Sequence, residues 1–275
     1  MHSTTNWKPE GFTSLTPYLV VTRVAELLDF LRDGLGAEET FRAPAQDGRI
    51  NHASVRLGNS ILEMGEPPKG PYLPGALHYY VKDVDATYAK AMKAGAASIM
   101  APKEMDYGDR EADIQDASGN YWFIATHKHG KSYAPSGLRD LTSTIGVDGA
   151  ARFIEFLEQA FGAKILGQHK TPDDKIGHAK IQVGDAVLET SDVHGEWKPR
   201  PVALHLYVPD TDDVFDRAIG AGGNSLSPVK DQPYGERSGG VTDPWGNHWY
   251  IATFLENLTL EEIEKREIAQ KKAQA

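Results

Sequence analysis

A chain of 275 residues with a formal net charge of −10 and no cysteine has room for two domains of about 120 residues, each with its own core. The missing cysteines exclude disulfides, thiolate catalysis and cysteine-bound zinc, and the acidity, relieved by no Lys/Arg cluster, excludes a nucleic-acid partner. The first residues lack the apolar core of a signal peptide and no later run is long enough to span a bilayer, so a soluble cytoplasmic protein without a membrane partner is expected.

In chain order, residues 1–14 form a polar arm whose Trp7 and Phe12 are expected to pack on the first domain. Leu15 to Val21 alternates as a strand, with Leu19 and Val21 on one face and Thr16, Tyr18 and Val20 on the other. Ala25, Leu27, Leu28 and Leu31 recur at helical spacing, and Gly34 and Gly36 are expected to stop that helix. A loop through Pro44, Asp47 and Gly48 leads to a hairpin over His52 to Glu63. Ala76 to Val81 is a strand, Asp85 to Ala94 a helix ended by Gly95. Two more strands lie around Tyr107 to Asp116 and Tyr121 to Thr126, about the turn Ser118-Gly119-Asn120. Residues 128–140, rich in Lys, Gly, Ser and Pro, read as a linker.

The order then repeats. Leu15 to Ala37 aligns with Leu141 to Ala163, and His52 to Glu63 with His178 to Glu189, at one constant offset. In the second copy Ala179, Ile181 and Val183 alternate with His178, Lys180 and Gln182 before the two-residue turn Gly184-Asp185. After a one-residue insertion, Ala76 to Val81 matches Ala203 to Val208, Tyr107 to Arg110 matches Tyr234 to Arg237, and Asp116 to Asn120 matches Asp243 to Asn247. The chain therefore divides into a first domain over 15–127 and a second over 141–256, each of two strand-helix-meander units. The two are expected to pack within one chain as subunits of a one-domain relative would, about a pseudo-twofold axis. Thr259-Leu-Glu-Glu262, a capping box, opens a charged helix within 257–275.

The segments Phe161-Gly-Ala163, His205-Leu-Tyr-Val208 with Asp210, and Asp243-Pro-Trp-Gly-Asn-His248 resemble the vicinal oxygen chelate superfamily, which holds glyoxalase I, bleomycin-resistance proteins and extradiol dioxygenases. The resemblance runs from Leu15 to about Leu255. It implies an α+β fold of four βαβββ units paired into two glyoxalase/bleomycin-resistance/dioxygenase-like (VOC) domains, with sheets curled around concave clefts. Metal enzymes of the family place four ligands on the cleft face. By resemblance these fall on Thr16, Glu63, Ala76 and Phe123, and again on Thr142, Glu189, Ala203 and Tyr250. Only the glutamates are metal ligands, and a divalent metal needs at least three protein groups. No cofactor is therefore expected, a divalent metal being admitted only with an incomplete ligand set. His78 and His205, two residues beyond the lost third position, return to the cleft face by alternation.

Alternation also sorts the hairpins. If Val55, Leu57, Ile181 and Val183 face the helices, then His52, Ser54, Arg56, His178, Lys180 and Gln182 face the cleft. The register sets Ser54 opposite Glu63 and Lys180 opposite Glu189, so Glu189 is expected to be partly neutralised and Glu63 to be freer. Tyr80, Phe123, Tyr207 and Tyr250 give apolar walls. Arg110 and Arg237 either clamp an anion at the rim or pair with a local acid. His52 and His178 read as structural, and His127 with His129 as solvated.

The candidate catalytic residues are Glu63 and Glu189. The candidate ligand-binding residues are His78, Tyr80, Phe123, Arg110, Lys180, His205, Tyr207, Tyr250 and Arg237. No P-loop, dinucleotide fingerprint or nucleophile elbow is present. Two functions remain: a protein that binds a small organic molecule in a cleft without metal, or a lyase, isomerase or dioxygenase-type enzyme using a cleft glutamate as base or metal ligand. The expected partner is that small molecule, with room for a homo-oligomer. A cationic or hydroxylated aromatic ligand is expected in the first domain, between Tyr80 and Phe123, with its polar edge toward Glu63 and His78.

Overall fold

The structure, a computed structural model, describes residues 6–45, 47–129, 132–195 and 197–273. Four βαβββ units follow one another. The first is β1 (Leu15–Val20), α1 (Val24–Leu35), β2 (Glu38–Pro44), β3 (Ile50–Leu57) and β4 (Ser60–Gly65). The second is β5 (Ala76–Tyr80), α2 (Val84–Lys93), β6 (Ala97–Glu104), β7 (Asp109–Gln115) and β8 (Tyr121–His127). The third is β9 (Leu141–Val147), α3 (Ala150–Phe161), β10 (Lys164–Lys170), β11 (Ile176–Val183) and β12 (Ala186–Asp192). The fourth is β13 (Ala203–Tyr207), α4 (Thr211–Gly220), β14 (Asn224–Asp231), β15 (Glu236–Thr242) and β16 (His248–Phe254), before a charged helix α5 (Leu260–Ala273).

Each helix buries one stripe. In α1 this is Val24, Leu27, Leu28, Leu31 and Leu35, and in α3 Phe153, Ile154, Phe156, Leu157 and Ala160. Both end on a left-handed glycine, Gly36 at φ 75° and Gly162 at φ 65°, where a side chain would be strained. Gly34 does not stop α1. It lies inside the helix, where an added Cβ would sit 3.2 Å from Ala91 Cα and from Ala94 Cβ, so it allows α1 and α2 to pack closely.

Helices pair within each repeat, α1 on α2 and α3 on α4. One core accordingly joins units one and two around Leu31, Met64 and Trp122, and another joins units three and four around Phe153, Leu188 and Trp249. The sheets pair across the repeats. One runs β14-β15-β16-β13-β1-β4-β3-β2 and the other β10-β11-β12-β9-β5-β8-β7-β6. The seams are antiparallel, Thr16 opposite His205 between β1 and β13, and His78 opposite Thr142 between β5 and β9. The cleft of each sheet is therefore shared between the first and fourth units, or between the second and third.

This exchange relocates the arm and the linker. Because β1 pairs with β13, the residues before it run along the fourth unit and not the first domain: Phe254 N donates to Trp7 O at 3.0 Å, and the Phe12 ring meets Tyr207 edge-on at 5.7 Å. Tyr133 and Leu138 of the linker pack against Tyr80, Ala125 and Ala134. The expected capping box forms, with Thr259 N donating to Glu262 Oε2 at 2.8 Å. Among the described residues no helix is long and apolar enough to cross a membrane.

Candidate functional site

On the first sheet Ala53, Val55, Leu57 and Leu62 face the core, which turns His52, Ser54 and Glu63 to the concave side. Glu63 is 2% exposed. Its Oε2 lies 2.9 Å from His205 Nδ1 and its Oε1 3.4 Å from His52 Nε2. On the far side His205 Nε2 stands 3.7 Å from Glu236 Oε2, while the Tyr207 hydroxyl donates to Glu236 Oε1 at 2.6 Å. Tyr18 fills the middle, its hydroxyl 3.3 Å from His52 Nδ1 and its ring edge-on to Tyr250 at 5.2 Å.

Burial pulls the His205 imidazole down, but Glu63 and Glu236 outweigh it and raise its pKa to about 9, making it an imidazolium at neutral pH. Burial pushes Glu63 up, and the charges of His205 and His52 reverse this and hold it below the usual carboxylate range.

The second sheet repeats the arrangement with more acids. His78 Nδ1 lies 3.1 Å from Glu189 Oε2, and His178 Nε2 is 3.3 Å from Glu189 Oε1. His78 Nε2 is 3.4 Å from Glu111 Oε2, without hydrogen-bond geometry. Tyr80 stacks on His78 at 4.3 Å and donates to Asp109 Oδ2 at 3.1 Å, and His127 Nδ1 takes the other Asp109 oxygen at 2.6 Å. The loop after β12 closes one end: Trp197 packs on Tyr121 and Phe123 at 5.4 and 6.1 Å, and the Arg200 guanidinium lies over the Tyr121 ring at 4.4 Å.

His78 is held at a pKa of about 9, its burial overcome by Glu111 and Glu189. For Glu189, burial is reversed by His178 and His78, which hold it far below the usual range. Asp113 is pushed up to about 7 by burial and then by Glu111, with His78 and Lys103 pulling the other way.

Asp109, Glu111 and Asp113 sit at alternate positions of β7, so all three face the cleft while Ala112 and Ile114 enter the core. In the first cleft the matching positions on β15 are Glu236, Ser238 and Gly240. A side chain at Gly240 would come within 2.9 Å of Ser227 Oγ and 3.3 Å of Leu226 Cβ. Where the first cleft has the large Tyr18 ring, the second has the smaller Thr144 as its counterpart. Among the described residues the buried side-chain atoms without a hydrogen-bond partner are Thr16 Oγ1 in the first cleft, His78 Nε2, Asp113 Oδ1 and Thr144 Oγ1 in the second, and Arg200 Nη1 at its end.

The crossed sheets correct the expected grouping. Glu63 does not share a cleft with His78, Tyr80 and Phe123; it meets His205, Tyr207 and Tyr250, while His78, Tyr80 and Phe123 stand with Glu189. The predicted registers hold, Ser54 opposite Glu63 and Lys180 opposite Glu189. However, it is His178 and His78 that hold Glu189, and Glu63 is not left free, being held in the same way by His205 and His52. Arg110 and Arg237 are not in the clefts. They alternate with the β7 and β15 acids and so point to the helix side, where Arg110 chelates Asp85 at 2.7 Å and Arg237 binds Asp212 and Asp231. His127, expected in solvent, is bound to Asp109. Glu236, Asp109, Glu111, Asp113, Tyr18 and Thr144 escaped the sequence reading, although the alternating acids of Asp109-Arg-Glu-Ala-Asp113 were visible in it.

Two cavities lie away from the cleft carboxylates. One of about 360 Å³ is walled by Arg23, Asp29 and Asp116, and one of about 460 Å³ by Asp173, Asp192 and the Trp197 loop.

A family model for the Glyoxalase/Bleomycin resistance protein/Dioxygenase superfamily matches residues 12–124 and 141–251, and the chain belongs to that superfamily. An uncharacterised protein of Mycobacterium bovis is 34% identical over 135 residues, 45% of this chain and 89% of that protein. An uncharacterised protein of Mycobacterium tuberculosis matches at the same identity over 79% of its length. Among solved structures, glyoxalase I from Zea mays aligns with a TM-score of 0.66 at 16% identity, over 92% of this chain and 95% of that one. A Bacillus subtilis protein described as a candidate dioxygenase aligns at 0.58 and 17% identity, over 94% and 91%. At these identities the structural matches establish the fold alone.

The four metal positions that the resemblance implies are brought together by the crossed sheets as Thr16, Glu63, Ala203 and Tyr250 in the first cleft and Thr142, Glu189, Ala76 and Phe123 in the second. One carboxylate among four such positions does not make a site for a divalent metal. His205 and His78 do not repair the set, because each points its ring nitrogens at two carboxylates. Among the described residues no group of three or more His, Asp or Glu side chains is arranged to hold a metal ion.

Proposed function

We propose that the protein binds a small organic molecule in the concave face of the second sheet, without a metal in the site. The observation that carries this reading is a pair of buried polar atoms left without partners on this face, Asp113 Oδ1 beside Phe123 and Thr144 Oγ1 one row along. Leaving such groups unpaired costs about 1–3 kcal/mol each, and a ligand that pairs them recovers that cost. Aromatic side chains from Phe123 and Trp197 supply the apolar contact area typical of small-molecule sites. The first cleft, plugged by Tyr18 against Tyr250, serves this reading as a scaffold.

A second reading is a proton-transfer enzyme of the lyase or isomerase type. Its support is Asp113, held near 7, where a general base works best at neutral pH. Glu63 and Glu189 serve less well as bases, because their histidines stabilise the ionised form and weaken its basicity.

A thermal-shift screen of small aromatic compounds, with hits located by crystallography, tests the binding reading. Stabilising compounds are expected on the Phe123 face, and Thr144→Tyr, which gives the second cleft the plug of the first, should abolish the shift. Hits that sit elsewhere, or that still stabilise Thr144→Tyr, would refute it.

A further inference from the structure

Three strands of the second sheet place an acid, an aromatic floor and a histidine in one row. Asp113 of β7 is in register with Phe123 of β8, and Phe123 with His78 of β5. At roughly 4.8 Å between strands, Asp113 and His78 stand about 10 Å apart across the Phe123 ring. One row along, Thr144 of β9 is in register with Glu189, and Tyr121 with Ala76, under Trp197 and Arg200. The unpaired atoms are thereby sorted. On one side of Phe123 is an acceptor, Asp113 Oδ1, on a residue 9% exposed. On the other side are the Thr144 hydroxyl and Arg200 Nη1, both donors, while His78 Nε2, 3.4 Å from Glu111 Oε2, is turned to that carboxylate.

We infer that the second cleft takes a flat aromatic molecule carrying a protonated amine at one end and an oxygen acceptor, carboxylate or carbonyl, at the other. The ring lies on Phe123 beside Trp197. The amine donates to Asp113 Oδ1, and the oxygen accepts from Thr144 Oγ1 and Arg200 Nη1. This rests on the small-molecule reading above and deepens it. The inference is specific to the second cleft, because at the position of Asp113 the first cleft has Gly240 under Leu226 and Ser227, and at the position of Thr144 it has Tyr18.

The local charges agree with this polarity. Asp113 is faced by Glu111 from its own strand, by Tyr107 of the preceding turn, by His78 across Phe123, and by Lys103 of β6. Its elevated pKa leaves it part-protonated at pH 7 in the empty cleft. An arriving ammonium favours the carboxylate, so binding releases a proton.

Calorimetry on the intact chain with three matched probes tests the inference: 4-(aminomethyl)benzoate, 4-methylbenzoate without the amine, and 4-methylbenzylamine without the carboxylate. The first probe should bind most tightly, with a heat that differs between phosphate and Tris as a proton is released. Asp113→Asn should weaken it about tenfold to a hundredfold, the loss of one charge-assisted hydrogen bond, while changing the affinity for 4-methylbenzoate less than about twofold. Asp113→Asn should also melt higher than the parent without ligand, since it removes a buried carboxylate charge from beside Glu111, so lost binding is not mistaken for lost folding. Thr144→Tyr should exclude every probe.

Equal binding of 4-(aminomethyl)benzoate and 4-methylbenzoate, or indifference of the former to Asp113→Asn, would overturn the amine assignment while leaving a cleft that binds small aromatics. Failure of all three probes to bind the parent protein would overturn the assignment and the reading beneath it together.

Discussion

His78 and His205 each stand between two carboxylates in a nearly dry setting, and both are held as imidazolium by those neighbours. Removing one partner of such a pair leaves a buried charge that the remaining acid balances only in part. Glu189→Gln should therefore lower the His78 pKa toward or below its ordinary 6.5 and cost about 2 kcal/mol of stability, the imidazole limiting the loss by giving up its proton. A proton NMR titration of His78 with a urea melt checks both; an unchanged His78 titration would mean that Glu111 alone holds the charge.

The same histidines set the pH dependence of folding. Their folded pKa of about 9 lies above the ordinary 6.5, so their contribution is complete below pH 6.5 and is lost as the pH rises through 9. Melting temperature should fall between pH 7 and pH 10, and replacing both histidines with glutamine should flatten that limb. Glu189 acts at the other end: its depressed pKa contributes stability present above about pH 4.5 that is lost on acidification.

Among the elements, legibility followed burial. The hairpins β3–β4 and β11–β12 could be read in register, though two or three residues short at each end, because one face enters the core and the other does not, and both predicted registers hold. The outer strands β2, β6, β10 and β14 escaped: Lys164 to Lys170 is exposed at every position, so no alternation marks it as a strand. The most recognisable motif proved to be scaffold. Asp116 accepts from Asn120 N and Nδ2, Ser118 N and Trp122 Nε1, and Asp243 repeats this with Asn247, Trp245 and Trp249. These bonds explain why Asp-x-x-Gly-Asn recurs, and they lie on no cleft.

Gly34 was misread for a related reason, since glycine marks helix ends and close helix contacts alike. With Ala91 and Ala94 against its Cα, Gly34→Leu should force α1 from α2 and cost about 3 kcal/mol, the upper end of ordinary overpacking. A chemical melt of the variant checks this, and a loss under about 1 kcal/mol would show that the helices separate easily.

At the scale of the molecule, what sequence could not show was which unit shares a sheet with which. Four units of one pattern satisfy alternation equally well whether β1 pairs with β5 of its own repeat or with β13 of the other. The choice decides the composition of both clefts, and so whether Glu63 meets His78 or His205. The core within each repeat, α1 on α2, is complete without the other repeat, but β1 and β5 are then left with bare edges at the centre of the fold, where exposed backbone donors and acceptors recruit another strand.

A fragment of residues 1–135 should therefore fold as a homodimer, β1 of one copy pairing with β5 of the other, since β5 is the counterpart of β13 and β1 of β9. The Mycobacterium bovis relative, matched over 45% of this chain and 89% of its own length, is consistent with a unit of this size. In such a dimer Glu63 would face His78, and each cleft would combine Tyr18 with Asp113, an arrangement the intact chain does not contain. Light scattering on the fragment should give twice its chain mass, and mixing it with residues 136–275 should yield a one-to-one complex that recovers the His78 to Glu189 pairing. A stable folded monomer would show that a single repeat can close its own sheet, and the crossed arrangement would then be a consequence of the linker and not of the strand edges.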